Sequence, residues 1–136
     1  MDQQIAKTAI RLLASVGVIA TVALSIYAAQ PWGDNYAYQD ISGYVLLTVF
    51  VAWAISPYIY LFVSAGRHSP HRLSNLLRVA VALLTCIGGI AAVFDTVFIH
   101  LDAQGGLIFL SLPVVQWLVI GVLELTLVFM RPKTPI

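Results

Sequence analysis

Four runs of this chain contain no Asp, Glu, Lys or Arg: Leu12 to Gly33 (22 residues), Ile41 to Gly66 (26), Val79 to Phe94 (16) and Ala103 to Leu123 (21). A helix that crosses a bilayer core of about 30 Å needs roughly 20 mostly apolar residues at about 1.5 Å each. Four such runs in 136 residues leave only short ends and loops. Composition agrees: 10% of residues are charged, against about 25% in a soluble domain, too few to clothe a polar surface. The pattern predicts an all-α integral membrane fold, a single domain over 1–136. It would be a four-transmembrane-helix antiparallel bundle with helices near 8–28, 44–65, 72–101 and 107–130.

The basic residues orient the spans. Lys7 and Arg11 precede the first run, Arg67, Arg72 and Arg78 lie between the second and third, and Arg131 and Lys133 follow the fourth. All seven bases therefore fall on one side, while the opposite loops hold Asp34, Asp40 and Asp102 and no base. The positive-inside rule then predicts a multi-pass protein of the cell inner membrane, with both termini and the middle loop cytoplasmic. A basic start before an apolar run also marks signal peptides, whose apolar stretch is about 7–15 residues. The run here is longer, and SIYAAQPW lacks small residues at both cleavage positions. A retained first helix is expected.

Several function classes fall away. Cys86 is the sole cysteine, which excludes an intramolecular disulfide and a dithiol redox pair. A formal net charge of +1 provides no footprint for nucleic acid; the bases serve topology and contact with anionic headgroups. His68 and His71 flank Pro70 in the middle loop, and His100 lies on the other side. Metal and haem sites need convergent ligands, so neither metal nor cofactor is expected. No nucleophile and base share a depth, and no glycine loop could cradle phosphate. Catalysis is not expected.

Local signals refine the spans. The first helix carries Ala14, Ser15, Gly17, Ala20, Thr21 and Ser25, small residues that let helices approach closely in lipid. Trp32, Tyr36, Tyr38 and Tyr44 in and beside the longest outer loop read as an aromatic belt, and that loop is the candidate external binding surface. Pro57 and Pro113 lie inside the second and fourth helices and predict bends, with Ser56 placed to satisfy the carbonyl that Pro57 frees. Ser69 and Pro70 suit the N-cap and first position of the third helix. Gly105 and Gly106 suit a tight outer turn.

Two acids, Asp95 and Glu124, fall inside spans, and intramembrane acids are default functional candidates. Depth separates them: Asp95 belongs near the outer face and Glu124 near the inner, roughly 15–20 Å apart at 1.5 Å per residue. They cannot share a proton or an ion. Arg78 enters the third helix near the depth of Glu124, so an Arg78–Glu124 pair is expected. Pro113, Gln116, Trp117, Gly121 and Glu124 fall within an arc of about 140° at 100° per residue, which should turn toward protein. Asp95 shares a helix face with Gly88, Ala91 and Ala92, a stripe expected to pack, with Tyr44, Thr48 or Ser25 as its candidate partners.

The segment DAQGGLIFLSLPVVQW, an outer turn leading into a helix with Pro and Gln, resembles small bacterial inner-membrane proteins that carry no assigned activity. The chain lacks the first-helix glutamate of small multidrug transporters, the cysteine pair of vitamin-K-reductase-like enzymes and the arginine ladder of voltage sensors. Two functions remain. The first is a non-enzymatic protein that binds a membrane or periplasmic protein partner, as an accessory subunit or immunity-type protein. The alternative is a homo-oligomeric channel or transporter for an ion or small solute, with Gln116 and Glu124 lining the inner path and Asp95 at the outer mouth.

Overall fold

The computed structural model describes residues 2–31, 40–67, 72–99 and 105–130. Four helices account for almost all of them: α1 (Gln3–Ala29), α2 (Ile41–Ser64), α3 (Arg72–Phe94) and α4 (Gly105–Phe129), with a π-helical turn at Asp95–Ile99 continuing α3. Each is long and apolar enough to cross a membrane. The aromatic loop residues Trp32, Tyr36 and Tyr38, the acids Asp34 and Asp102, Ser69 and Pro70, the three histidines, and Arg131 and Lys133 lie outside the described residues.

The helices begin and end where local chemistry allows. Asp2 accepts a hydrogen bond from the Gln4 N–H at 3.4 Å and caps α1. This cap lets α1 start at Gln3, several residues before the expected 8, so Lys7 lies within the helix and not ahead of it. At the other end Gln30 adopts φ 43°, and its N–H returns to the Ile26 carbonyl at 3.1 Å. This left-handed closure is the one glycine most often provides. The sequence predicts a regular third helix as far as 101, but at Asp95 it widens into the π turn, a local form that often marks a functional or strained position.

Pro57 and Pro113 both lie inside their helices with side chains under 2% exposed. The Ser56 hydroxyl donates to the Trp53 carbonyl at 2.8 Å, the acceptor that Pro57 leaves without its helical N–H. The exchange expected from the sequence is therefore made. Thr48, Ser64, Thr96, Ser111 and Thr126 likewise donate to carbonyls three or four residues back. A hydroxyl satisfied within its own turn can sit in an apolar helix at little cost.

α1 packs against α2 and α3, and α4 packs against the same two helices; α2 and α3 meet only marginally. The order around the bundle is thus α1, α2, α4, α3. Tyr27 stacks on Phe98 with ring centroids 5.2 Å apart, tying the end of α1 to the π turn. The exterior, not the interior, sets the section apart from a soluble bundle. Thr21, Ser25, Ser64, Ser74, Asn75, Arg78, Thr85 and Gln116 are buried, while Leu, Ile, Val and Phe dominate the exposed side chains of every helix. Only 22–33% of each spanning window is buried. An exterior of that kind is stable against hydrocarbon and costly against water.

Candidate functional site

Two polar groupings occupy the interior. The first is centred on Tyr58 of α2, whose side chain is 1% exposed. Its hydroxyl donates to the Thr85 carbonyl of α3 at 3.3 Å and accepts from Gln116 Nε2 of α4 at 2.9 Å. Gln116 Nε2 also donates to the Thr85 carbonyl, at 3.2 Å. The buried Thr21 hydroxyl of α1 lies within reach of the same phenol. All four helices therefore converge on one side chain.

Two glycines make the convergence possible. A Cβ on Gly17 of α1 would run into the Tyr58 ring, and one on Gly89 of α3 would meet both the Tyr58 hydroxyl and the Gln116 amide. The ring thus lies between two bare backbone surfaces, the close approach for which membrane helices use small residues. Around it, Ile10, Ala14, Leu61, Ala65, Ala82, Cys86 and Ile120 form the apolar core. Gln116 Oε1 and Thr85 Oγ1 are buried without a hydrogen-bond partner, so the grouping is only partly satisfied.

The second grouping lies at the end of the bundle where α2 finishes. Glu124 Oε2 lies 3.6 Å from Arg78 Nη2 and 3.8 Å from Arg67 Nη1. These are ion pairs longer than charge-assisted hydrogen bonds. Arg78 Nη1 reaches the Ser64 carbonyl at 3.4 Å, while its Nε is buried and unbonded. Arg67 donates to the Tyr60 hydroxyl at 3.1 Å and lies 5.5 Å from that ring's centroid. Tyr60 in turn packs on Trp117, 5.3 Å between centroids, and Trp117 Nε1 donates to Ser56 Oγ at 3.0 Å. With Trp53 Nε1 donating to the Leu110 carbonyl at 3.3 Å, the α2–α4 seam is polar along most of its length.

The sequence candidates distribute as follows. Arg78 and Glu124 meet, and Arg67 joins them, although nothing in its loop position signalled that. Pro113 and Gln116 are buried and face protein. Gly121 of the same arc is exposed, a Cβ there would meet nothing within 4 Å, and Ile120 takes the inward position. Gly88 and Ala91 are exposed, and a Cβ on Gly88 would also meet nothing within 4 Å. The packing stripe of α3 is instead Ala82, Cys86, Gly89 and Val93, one residue out of phase with the expected one. Asp95 is half-buried and opens the π turn. Of its candidate partners, Thr48 donates to the Tyr44 carbonyl and Ser25 Oγ is buried without a hydrogen bond. Arg78 and Asp95 stand roughly 25 Å apart along one helix at about 1.5 Å per residue, so Asp95 and the Glu124 cluster occupy opposite ends. Among the described residues no group of three or more His, Cys, Asp or Glu could hold a metal ion.

Fold and interior together define a four-helix bundle with an apolar exterior and a tyrosine-centred polar grouping inside an apolar core. No protein-family model matches the chain, and neither a curated protein nor a solved structure matches it.

Proposed function

We propose that the chain is a non-enzymatic, multi-pass protein of a bacterial inner membrane that acts by binding another membrane or periplasmic protein, as an accessory or immunity-type subunit. The termini and the α2–α3 loop lie in the cytoplasm, following the seven bases, and successive helices run antiparallel. The observation that carries the reading is the centre of the bundle. Tyr58, gripped by Gly17 and Gly89 and bonded to Gln116 and Thr85, fills the axis where a solute path would run. Such an interior works as a fastener, and it leaves the outward faces as the parts that act. Affinity purification in mild detergent tests this: a stoichiometric second polypeptide should copurify, and its loss on mutation of exterior residues should leave the bundle folded. A chain that travels alone from native membranes would overturn it.

A second reading, an oligomeric channel or transporter, draws on the Arg67–Glu124–Arg78 cluster. Glu124 stands between two bases at the inner end, a position from which an intramembrane acid can line a path for an ion or small solute. Reconstituted vesicles separate the readings. Flux that disappears in Glu124→Gln favours transport, and its absence in the wild type removes it.

A further inference from the structure

The outer side of the α1–α2 seam carries a slot that neither polar grouping uses. It has a volume of about 280 Å³ and is lined by Ala14, Ser15, Val18 and Ile19 of α1 and by Ile59 and Phe62 of α2. Ile19 and Phe62 are exposed, at 69% and 41%, so the slot opens to whatever surrounds the bundle. At its end the Arg11 guanidinium lies 5.2 Å from the centroid of the Phe62 ring. Arg11 Nε is buried with no hydrogen-bond partner, and neither ion pair among the described residues includes Arg11. Lys7, Arg11, Ser15 and Val18 follow one another at spacings of four, four and three, which places them on one stripe of the helix. A cationic end and an apolar slot are therefore collinear.

We propose that this stripe binds one anionic phospholipid, its phosphate at Arg11 and Lys7 and one acyl chain laid along the slot toward Ile19 and Ile59. The inference rests on α1 crossing a bilayer and not on the identity of any protein partner. Three features select this occupant. The volume lies just below the roughly 300–1,000 Å³ of pockets that enclose a whole small molecule, and the lining is apolar apart from Ser15, which suits a hydrocarbon chain. From Arg11 to Ile19 the helix rises roughly 12 Å at 1.5 Å per residue, so a chain leaving a headgroup at Arg11 descends directly into the slot. The unpaired guanidinium supplies the complementary charge, and stacking on Phe62 holds its plane while leaving N–H groups at its edge for a phosphate.

Native mass spectrometry of the full-length protein, titrated with phosphatidylglycerol and with phosphatidylcholine of identical acyl chains, tests the proposal. One phosphatidylglycerol should be retained in preference to phosphatidylcholine. Arg11→Gln should weaken that retention about fivefold and the Lys7→Gln/Arg11→Gln pair about 25-fold, from the worth of each base at an anionic surface, with phosphatidylcholine unaffected. Arg11→Lys should hold phosphatidylglycerol more weakly than wild type but more tightly than Arg11→Gln, which separates lost charge from lost folding. Ile19→Trp, which fills the slot, should weaken both lipids. Equal retention of the two lipids, or an Arg11→Gln variant indistinguishable from wild type, overturns the proposal. Efficient Ser15→Cys disulfide dimers in bilayers also overturn it, because a second copy would then occupy the slot.

Discussion

Removing the Tyr58 hydroxyl tests the tyrosine clasp at its most specific point. Tyr58→Phe deletes two of the three hydrogen bonds at the centre, Gln116 Nε2 to the phenol at 2.9 Å and the phenol to the Thr85 carbonyl at 3.3 Å. Gln116 keeps its bond to Thr85 at 3.2 Å but gains a buried unsatisfied N–H. At about 0.6 kcal/mol for each of the two interhelical bonds, plus about 1 kcal/mol for the orphaned donor, the cost is roughly 2 kcal/mol. Gln116→Leu also deletes two bonds, yet it removes an amide oxygen that is already buried and unbonded, and Tyr58 keeps Thr85. It should therefore cost less, roughly 0–1 kcal/mol, since the relief offsets part of the loss. The double variant should cost less than the sum of the singles by about 1.6 kcal/mol, about 0.6 for the shared bond counted twice and about 1 for the orphaned donor that Gln116→Leu removes. Steric-trap or detergent-titration unfolding in bicelles gives all three values. A costlier Gln116→Leu, or strict additivity, would refute the clasp.

Adjacent glycines give a sharper contrast. Gly89→Ala should destabilise by about 1–3 kcal/mol, because its Cβ displaces the Tyr58 hydroxyl and the Gln116 amide. Gly88→Ala meets open space and should be neutral or stabilising by up to about 1 kcal/mol through helix propensity; equal effects in the same unfolding assay would contradict the assigned helix phase. Glu124→Gln should cost about 1–2 kcal/mol by leaving buried Arg78 facing Arg67, less than the 3–5 kcal/mol of a fully buried pair because the Glu124 side chain is 24% exposed. Arg67→Gln should cost under about 1 kcal/mol, since its side chain is 58% exposed and exposed pairs contribute little; the reverse order in a thermal-shift assay would contradict the cluster. Ser56→Ala should cost about 1 kcal/mol by orphaning the Trp53 carbonyl beside Pro57 and the Trp117 N–H together, read by the same unfolding titration and contradicted by a neutral result.

How far the sequence reaches is clearest at particular residues. The spans were legible because absence of charge over about 20 residues is a property of the chain alone. Ser56 serving the carbonyl freed by Pro57 was legible because that exchange is local. Arg78 meeting Glu124 followed from counting depth along two helices. Tyr58 was missed because nothing within α2 distinguishes it from Tyr60, two residues on. Its role depends on which helices surround it, and the order α1, α2, α4, α3 is a tertiary property. Gly17 and Gly89 were the available signal, since bare backbone on two other helices needs a large side chain to fill the space. The phase of α3 was displaced by taking Asp95 as the marker of the packed face. Asp95 is only half-buried, and counting seven residues back from it reaches Gly88 and not Gly89. The π turn that begins at Asp95 has no sequence signature of comparable strength.

The central claim is that the interior fastens the bundle while an outward face engages a protein partner. Site-specific photo-crosslinking in native membranes addresses it directly, with the photoreactive residue placed in turn at exposed Leu84, Ile87, Leu118, Val122 and Leu125 and at buried Ile120 as the control. The account predicts one adduct with a second polypeptide from a contiguous subset of the exposed positions, and none from Ile120. It is contradicted if no exposed position gives an adduct while the purified chain carries an ion current that Gln116→Leu or Glu124→Gln abolishes.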